Sequence, residues 1–179
     1  MSWGHLIDDR PDEGVFRMHR DAFRDPAVFE QEMARFFERG WVFVGHASQI
    51  PHPHDYITVR MGRSPVIIGR DGQGHIHALH NSCRHKGAVV CQHNKGNRRA
   101  HLCPYHGWSY ASDGRNLLVK DKTEGDYAPS FDHEDHDLMP VIIIFEAHIW
   151  LGNSYSFSTD TLLLEDFLIP NICPIDFAI

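Results

Sequence analysis

Two short boxes in this chain, Cys83-Arg84-His85 and Cys103-Pro104-Tyr105-His106, each pair a thiol with an imidazole, and seventeen residues, 86–102, separate them. Two cysteines and two histidines arranged this way suit a 2Fe–2S centre in which one iron takes both thiolates and the other both imidazoles. Such a cluster moves single electrons, so redox chemistry is expected. A zinc site draws on the same residue types, but its usual grammar pairs Cys with a nearby Cys and His with a nearby His. Zinc stays open as the alternative. A disulfide would leave both histidines without a purpose.

On the iron–sulfur reading, Cys83 and Cys103 hold the ferric iron as thiolates, and His85 and His106 hold the iron that takes the electron. Neutral imidazoles surround that iron with less negative charge than thiolates would, which eases its reduction. Their second ring nitrogens are expected to face outward as electron exit and redox-linked proton site. Gly87 and Gly107 fall where backbone passes close to sulfide, Pro104 stiffens the second loop, and Trp108 offers an apolar cover against water. Lys86, beside His85, is either a local ion-pair partner or a contact to a neighbouring subunit. Cys91 and Cys173 stand outside the boxes and read as small buried hydrophobes. Of fifteen histidines only His85 and His106 have ligand spacing; His52, His54, His75, His77 and His80 read as solvated positions on loops and strand faces. The stretch Asp132-His133-Glu134-Asp135-His136-Asp137 imitates a two-His, one-carboxylate iron site, but its polarity favours an acidic surface loop.

The elements that must position these boxes are mostly short strands. Trp41–Gly45, Tyr56–Met61, Pro65–Gly69, His75–Leu79, Gly107–Tyr110, Asn116–Lys120, Val141–Glu146 and His148–Leu151 are the candidates, with turn signals at Asp71-Gly72 and Asp113-Gly114. Short strands with Gly and Pro punctuation predict small antiparallel sheets in a sandwich. Both boxes then fall at the tips of hairpin-like loops that clasp the cluster from two sides. Ahead of the sheets, Asp25-Pro26 reads as helix N-cap and first helical residue, with Phe29, Met33, Phe36 and Phe37 on one face packed against the following domain and Gly40 as the stop. A short final helix is expected over 162–168, starting at Asp160 and broken at Pro170. The expected organisation is a helical extension over 1–40, a cluster domain over 41–155 and a tail over 156–179.

With 179 residues, 42% of them hydrophobic and 23% charged, the chain has the composition of a soluble globular protein. Its formal charge of −7 argues against nucleic acid as the main partner. The N-terminus has no basic start followed by an apolar run, and no apolar stretch is long enough to span a bilayer. A cytoplasmic location, where thiols stay reduced, is expected.

The boxes resemble those of Rieske proteins, C-x-H-[RK]-G and C-x-x-H-G-W. Ala88 and Tyr105 stand where respiratory Rieske proteins carry two further cysteines, which implies the low-potential class, toward the bottom of a range of roughly −150 to +300 mV. Further segments widen the likeness: Gly14-Val15-Phe16, Trp41-Val42-Phe43-Val44-Gly45-His46, Ser48-Gln49-Ile50-Pro51, Asp55-Tyr56, Lys95-Gly96-Asn97 and Leu117-Leu118-Val119-Lys120-Asp121. Together they make residues 14–140 similar to the N-terminal part of the large (α) subunit of aromatic-ring-hydroxylating dioxygenases, in the benzoate, toluate, anthranilate and salicylate group. The resemblance implies a mostly β, Rieske-type sandwich holding its 2Fe–2S cluster through Cys83, His85, Cys103 and His106. It implies electrons arriving from an NADH-dependent reductase or ferredoxin and leaving for a mononuclear non-haem Fe(II) site in a catalytic domain beyond this chain. It also implies a β subunit and further α subunits as partners, with no nucleic acid and no membrane. After Pro140 the likeness fades, and returns faintly at Leu164-Glu165-Asp166-Phe167-Leu168; with the apolar finish at Ile179 this reads as a truncated oxygenase. By itself such a chain is expected to carry an electron and to hydroxylate nothing. A free-standing Rieske ferredoxin and a structural zinc module that binds a partner are the rivals.

Overall fold

The structure is a computed structural model and describes residues 3–125, 127–131, 134–146 and 149–153. Among these residues are twelve strands and one short α-helix, with short 3-10 turns between them. The chain begins with a hairpin of β1 (Ile7–Arg10) and β2 (Val15–Met18), paired antiparallel from Ile7↔Met18 to Arg10↔Val15. Helix α1 (Pro26–Glu32) follows, its Asp25 N-cap side chain accepting from the Ala27 N–H at 2.8 Å. Then come β3 (Val42–His46), β4 (Asp55–Met61), β5 (Ser64–Arg70), β6 (Ile76–His80), β7 (Lys95–Asn97), β8 (Ala100–Leu102), β9 (Ser109–Ala111), β10 (Asn116–Leu118), β11 (Ile142–Glu146) and β12 (Ile149–Asn153).

Every strand pairing is antiparallel, and the strands form three further sheets, ordered β6-β5-β4-β7, β11-β12-β3 and β10-β9-β8. The four-stranded sheet is the middle layer, with β4, β5 and β6 sending buried residues to both faces, and the period of two along each strand decides what each face meets. Ile57 and Met61 on β4, Val66 and Ile68 on β5 and Ala78 on β6 point one way, onto Val44 of β3 and Val141. Tyr56, Ile67 and Leu79 point the other way and join Cys83, Val90, Cys91, Cys103, Trp108, Tyr110, Val119 and Leu138. Both boxes therefore rest on an apolar floor supplied by alternate residues of β4, β5 and β6. Fully burying a Val, Ile or Met side chain stabilises by about 1.5–3 kcal/mol, and Met61, Val66, Ile67 and Ile68 are all buried to 1% exposure or less.

The predicted sandwich is present, with some departures. The helix is short and continues as a wider π turn over Met33–Phe37, which carries later residues off the 3.6-residue phase. Of the expected packed stripe only Met33 is buried; Phe29, Phe36 and Phe37 are exposed. What fastens this segment is Met33 together with Arg63, in the β4–β5 turn, which pairs with Glu30 and Glu38. The β1–β2 hairpin and the strands β7 and β8 had no sequence signal strong enough to predict them. The second box is a hairpin tip between β8 and β9, but the first is not. It lies in the connection from β6 to β7, the two opposite edges of the middle sheet. The expected final helix and Cys173 lie outside the described residues. Among the described residues no helix is long and apolar enough to cross a membrane.

Candidate metal centre

The two boxes fold into the same turn twice. In the first, the Gly87 N–H donates to the Cys83 carbonyl at 2.8 Å and the Cys83 N–H to the Ala88 carbonyl at 2.8 Å. In the second, the Gly107 N–H donates to the Cys103 carbonyl at 3.0 Å and the Cys103 N–H to the Trp108 carbonyl at 2.7 Å. Gly87 and Gly107 have φ of 72° and 73°, so each turn closes through the left-handed region. That backbone requirement explains both glycines.

These two fingers bring the four expected side chains together in pairs. The Cys83 and Cys103 thiols are both buried and close enough to act on each other directly. The His85 and His106 rings lie 4.6 Å apart between centroids, at 69°. Among the described residues no three His, Cys, Asp or Glu side chains converge as a single ion would need. Sharing two and two across a bridged pair of irons does not need such a convergence. Among the same residues Cys83, Cys91 and Cys103 are all free thiols, so none is tied up in a disulfide.

The surroundings suit a mixed-ligand cluster. His85 Nδ1 is buried and has no hydrogen-bond partner, an expensive state for an imidazole nitrogen unless something else takes its lone pair or its proton. Burial pushes the His85 pKa down, with His106 and Lys86 adding to the effect, which favours the neutral form that binds metal. Burial raises Cys103, and nearby Cys83 raises it further, while the Tyr105 and His106 N–H groups bonded to its sulfur pull the other way. A thiol held protonated by burial releases its proton when a cation arrives to neutralise the thiolate.

Sequence reasoning missed three supports of the site. Tyr110, fully buried on β9, reaches across so that its hydroxyl lies 3.2 Å from Cys83 Sγ and accepts the Arg84 N–H at 3.0 Å. Burial, then the bond to Cys83, raises its phenol pKa. Asn81, 2% exposed, closes the base of the first finger: its Nδ2 donates to the Cys91 carbonyl at 2.7 Å and its Oδ1 accepts the Cys91 N–H at 2.8 Å. Trp108 is buried behind the fingers, and the His85 ring stacks on it, centroids 4.9 Å apart and planes within 10°. The third support comes from an unexpected quarter: the stretch expected to be an acidic surface loop puts His136 edge-on to Trp108 at 5.6 Å, while Asp137 accepts the Asn116 N–H at 2.6 Å. Asp132 and His133 lie outside the described residues.

Among the other candidates, Cys91 is buried in the same core, as expected. Three of the histidines read as solvated are engaged instead: His54 bonds Ser112 Oγ at 3.2 Å, His77 bonds Asp71 at 2.8 Å, and His80 is half-buried with its pKa lowered by burial. Lys86 forms no ion pair among the described residues.

Comparison with known proteins agrees with this geometry. The chain is 43% identical over 162 residues to the large subunit of anthranilate 1,2-dioxygenase from Acinetobacter baylyi, a match that takes in 90% of this chain and 34% of that protein. It is 38% identical to the α subunit of toluate 1,2-dioxygenase from Pseudomonas putida, over 91% of this chain and 36% of that one. The fold superposes on naphthalene 1,2-dioxygenase from a Rhodococcus species, bound to indole, with a TM-score of 0.69 at 30% identity, covering 82% of this chain and 35% of that chain. The chain thus spans about a third of the length of the relatives it matches. A family model described as the Rieske [2Fe-2S] domain matches residues 40–131, both boxes and just over half of the sequence, and the chain belongs to that family.

Proposed function

We propose that this chain is the electron-transfer portion of a ring-hydroxylating dioxygenase large subunit, and that Cys83, His85, Cys103 and His106 hold its 2Fe–2S cluster. The observation that carries the assignment is the pairing within the two fingers: two thiols buried side by side, two imidazoles side by side, and an unpartnered buried Nδ1 on His85. When bound, the cluster stores and passes one electron at a time. The protein's own groups set the terms. Tyr110 and the N–H groups of Tyr105 and His106 aim hydrogen bonds at sulfur, which stabilises negative charge there. Trp108 fixes the plane of His85 and keeps water from its inner side. His106 is exposed, which makes its outer edge the natural electron port.

The named relatives act on anthranilate and toluate, and their names mark each as one subunit of a larger enzyme. By extension the substrate of the whole oxygenase is an aromatic carboxylate. The electrons come from an NADH-dependent reductase or ferredoxin, and they leave for a mononuclear non-haem iron in a catalytic domain. A β subunit and further α subunits complete the assembly, in the cytoplasm. The test is to load the chain with iron and sulfide. Two irons and two labile sulfides per chain with a Rieske-type EPR signal on reduction are expected, and each of Cys83→Ser and Cys103→Ser should abolish both. Colourless protein carrying stoichiometric zinc would overturn the assignment.

A further inference from the structure

At the base of the first finger, a crevice of about 330 Å³ lies between the middle sheet and the chain that leaves the finger for β7. Arg60 of β4 and Pro65 of β5 line one side, Val89, Gln92 and Asn94 the other, and the clamped pair Asn81 and Cys91 is buried at its bottom. The lining holds one cation and no acid, in a protein whose formal charge is −7. Arg60 pairs with no carboxylate among the described residues, and the hydrogen bond it makes, to the Arg63 carbonyl, is long at 3.4 Å. The Gln92 and Asn94 side-chain amides are exposed and engage no protein group among the described residues. Val89, 41% exposed, and half-buried Pro65 add apolar surface. A lone exposed arginine is ordinarily just solvated. This one differs in facing a wall that is fixed in place: the Thr58 N–H donates to the Asn94 carbonyl at 2.8 Å and the Thr58 hydroxyl to the His93 carbonyl at 3.2 Å.

From this we infer that the crevice binds a small aromatic carboxylate, which bridges the middle sheet and the base of the first finger. The planar guanidinium of Arg60 matches a carboxylate with two parallel charge-assisted bonds. Gln92 and Asn94 supply further N–H donors, and Val89 and Pro65 give a flat ring an apolar surface. The volume is at the small end of ligand sites, which run from roughly 300 to 1,000 Å³, so a single ring suits it. An inorganic anion would leave the apolar walls wet. A ligand held by both sides binds only while the finger base stays on the sheet, and so opposes its opening. The site consists of protein groups alone and goes beyond the electron-transfer reading; only its effect on the finger rests on the cluster assignment.

The test uses the full 179-residue chain with its cluster in place and benzoate as the probe, titrated by calorimetry. Saturable binding of one benzoate per chain is expected. Arg60→Gln should weaken it about ten-fold or more, the usual range for losing a hydrogen bond to a charged group, and Arg60→Lys, which keeps the charge, should weaken it less. Arg17→Gln, which removes the same charge from β2, should leave it unchanged. Benzamide, with the ring but no charge, and acetate, with the charge but no ring, should each bind about ten-fold or more weaker. Bound benzoate should also slow iron release to a chelator about two-fold or more in the wild type and not in Arg60→Gln. No saturable binding at about 10 mM benzoate, or equal binding by Arg60→Gln, would overturn the site. Phosphate or acetate binding as tightly as benzoate would overturn the ligand class, and binding without slower iron release would overturn the bridge. Each sample is first checked for its cluster spectrum. Colourless wild-type protein registers as failure of the cluster assignment, while the titration still decides the site.

Discussion

The two fingers share a backbone and differ in what stands behind them. Both close with a Gly in the left-handed region and with the same pair of hydrogen bonds around the cysteine. Behind the first, His85 is half-buried and stacked flat on Trp108, and Asn81 clamps the loop base to Cys91. Behind the second, His106 is exposed, and besides His85 its ring meets the tilted, exposed ring of Tyr105, 3.8 Å away between centroids. The difference follows from topology. The second finger is the tip of a hairpin, held by β8–β9 pairing that reaches Leu102, the residue next to the box. The first spans the two edges of the middle sheet and has no such ladder, so buried side chains must do for it what backbone pairing does for the other.

The sharpest way to break this comparison is to remove the supports one finger at a time. Trp108→Ala should cost about 3–5 kcal/mol, the usual range for emptying a buried aromatic site, and should speed iron release to a chelator. Tyr105→Ala should stay within about 0.5 kcal/mol. Urea midpoints at constant slope measure both; equal losses would mean that the fingers are supported alike. Next in size is Asn81→Ala. It leaves the Cys91 N–H and C=O buried without partners, and each such group costs about 1–3 kcal/mol, so a loss of about 2–3 kcal/mol is expected. Chelator-driven iron release should accelerate with it, because the first finger would lose its base.

How much of this was legible follows the same division. The ligand boxes and the strands β3 to β6 could be read because chemistry and apolar alternation leave marks on consecutive residues. The turns at Asp71-Gly72 and Asp113-Gly114 were visible for the same reason, although the first is longer than a two-residue turn, with Gly74 taking the positive φ. Strands β7 and β8 were not legible, since Lys95–Asn97 is exposed throughout and three-residue strands show no period. Asn81 and Tyr110 were missed because their partners lie ten and twenty-six to twenty-seven residues away, and nothing in their neighbours announces it. The Phe stripe after Asp25 misled because periodicity records a face without saying what covers it.

Asp71 tests whether the scaffold can weaken while the fingers hold. Its carboxylate is 6% exposed, accepts the Gln73 and His75 N–H groups, and meets His77 and His75 at 2.8 and 3.2 Å. Burial opposes the charge, but these bonds outweigh it and hold the acid well below its ordinary pKa. A depressed carboxylate gives stability that is fully present above the unfolded-state pKa of about 3.9 and lost as pH falls through the folded value. Asp71→Asn should therefore lower stability by about 2 kcal/mol at neutral pH and flatten the acid limb, so that the two proteins converge at low pH. Unfolding free energy measured against pH shows this. The cluster spectrum at neutral pH should not change, since this turn is separate from both fingers.

The smallest effect is the most direct comparison. Gly87→Ala and Gly107→Ala each force a Cβ into the left-handed region, at about 1–2 kcal/mol. At Gly87 the added atom meets nothing closer than 3.8 Å, whereas at Gly107 it would press on Lys120 Cδ at 2.9 Å. That contact is the mid-stem of an exposed, flexible side chain, which can swing aside at little cost. The backbone penalty dominates, so the two losses should agree within about 0.5 kcal/mol despite the unequal support behind the fingers. Asn, which tolerates this conformation better than Ala, should recover part of each. Equal losses with partial recovery by Asn would mean that the repeated turn is one backbone device used twice. A much larger loss at Gly87 would mean instead that Asn81 and Trp108 grip the first turn so tightly that it has no room to relax.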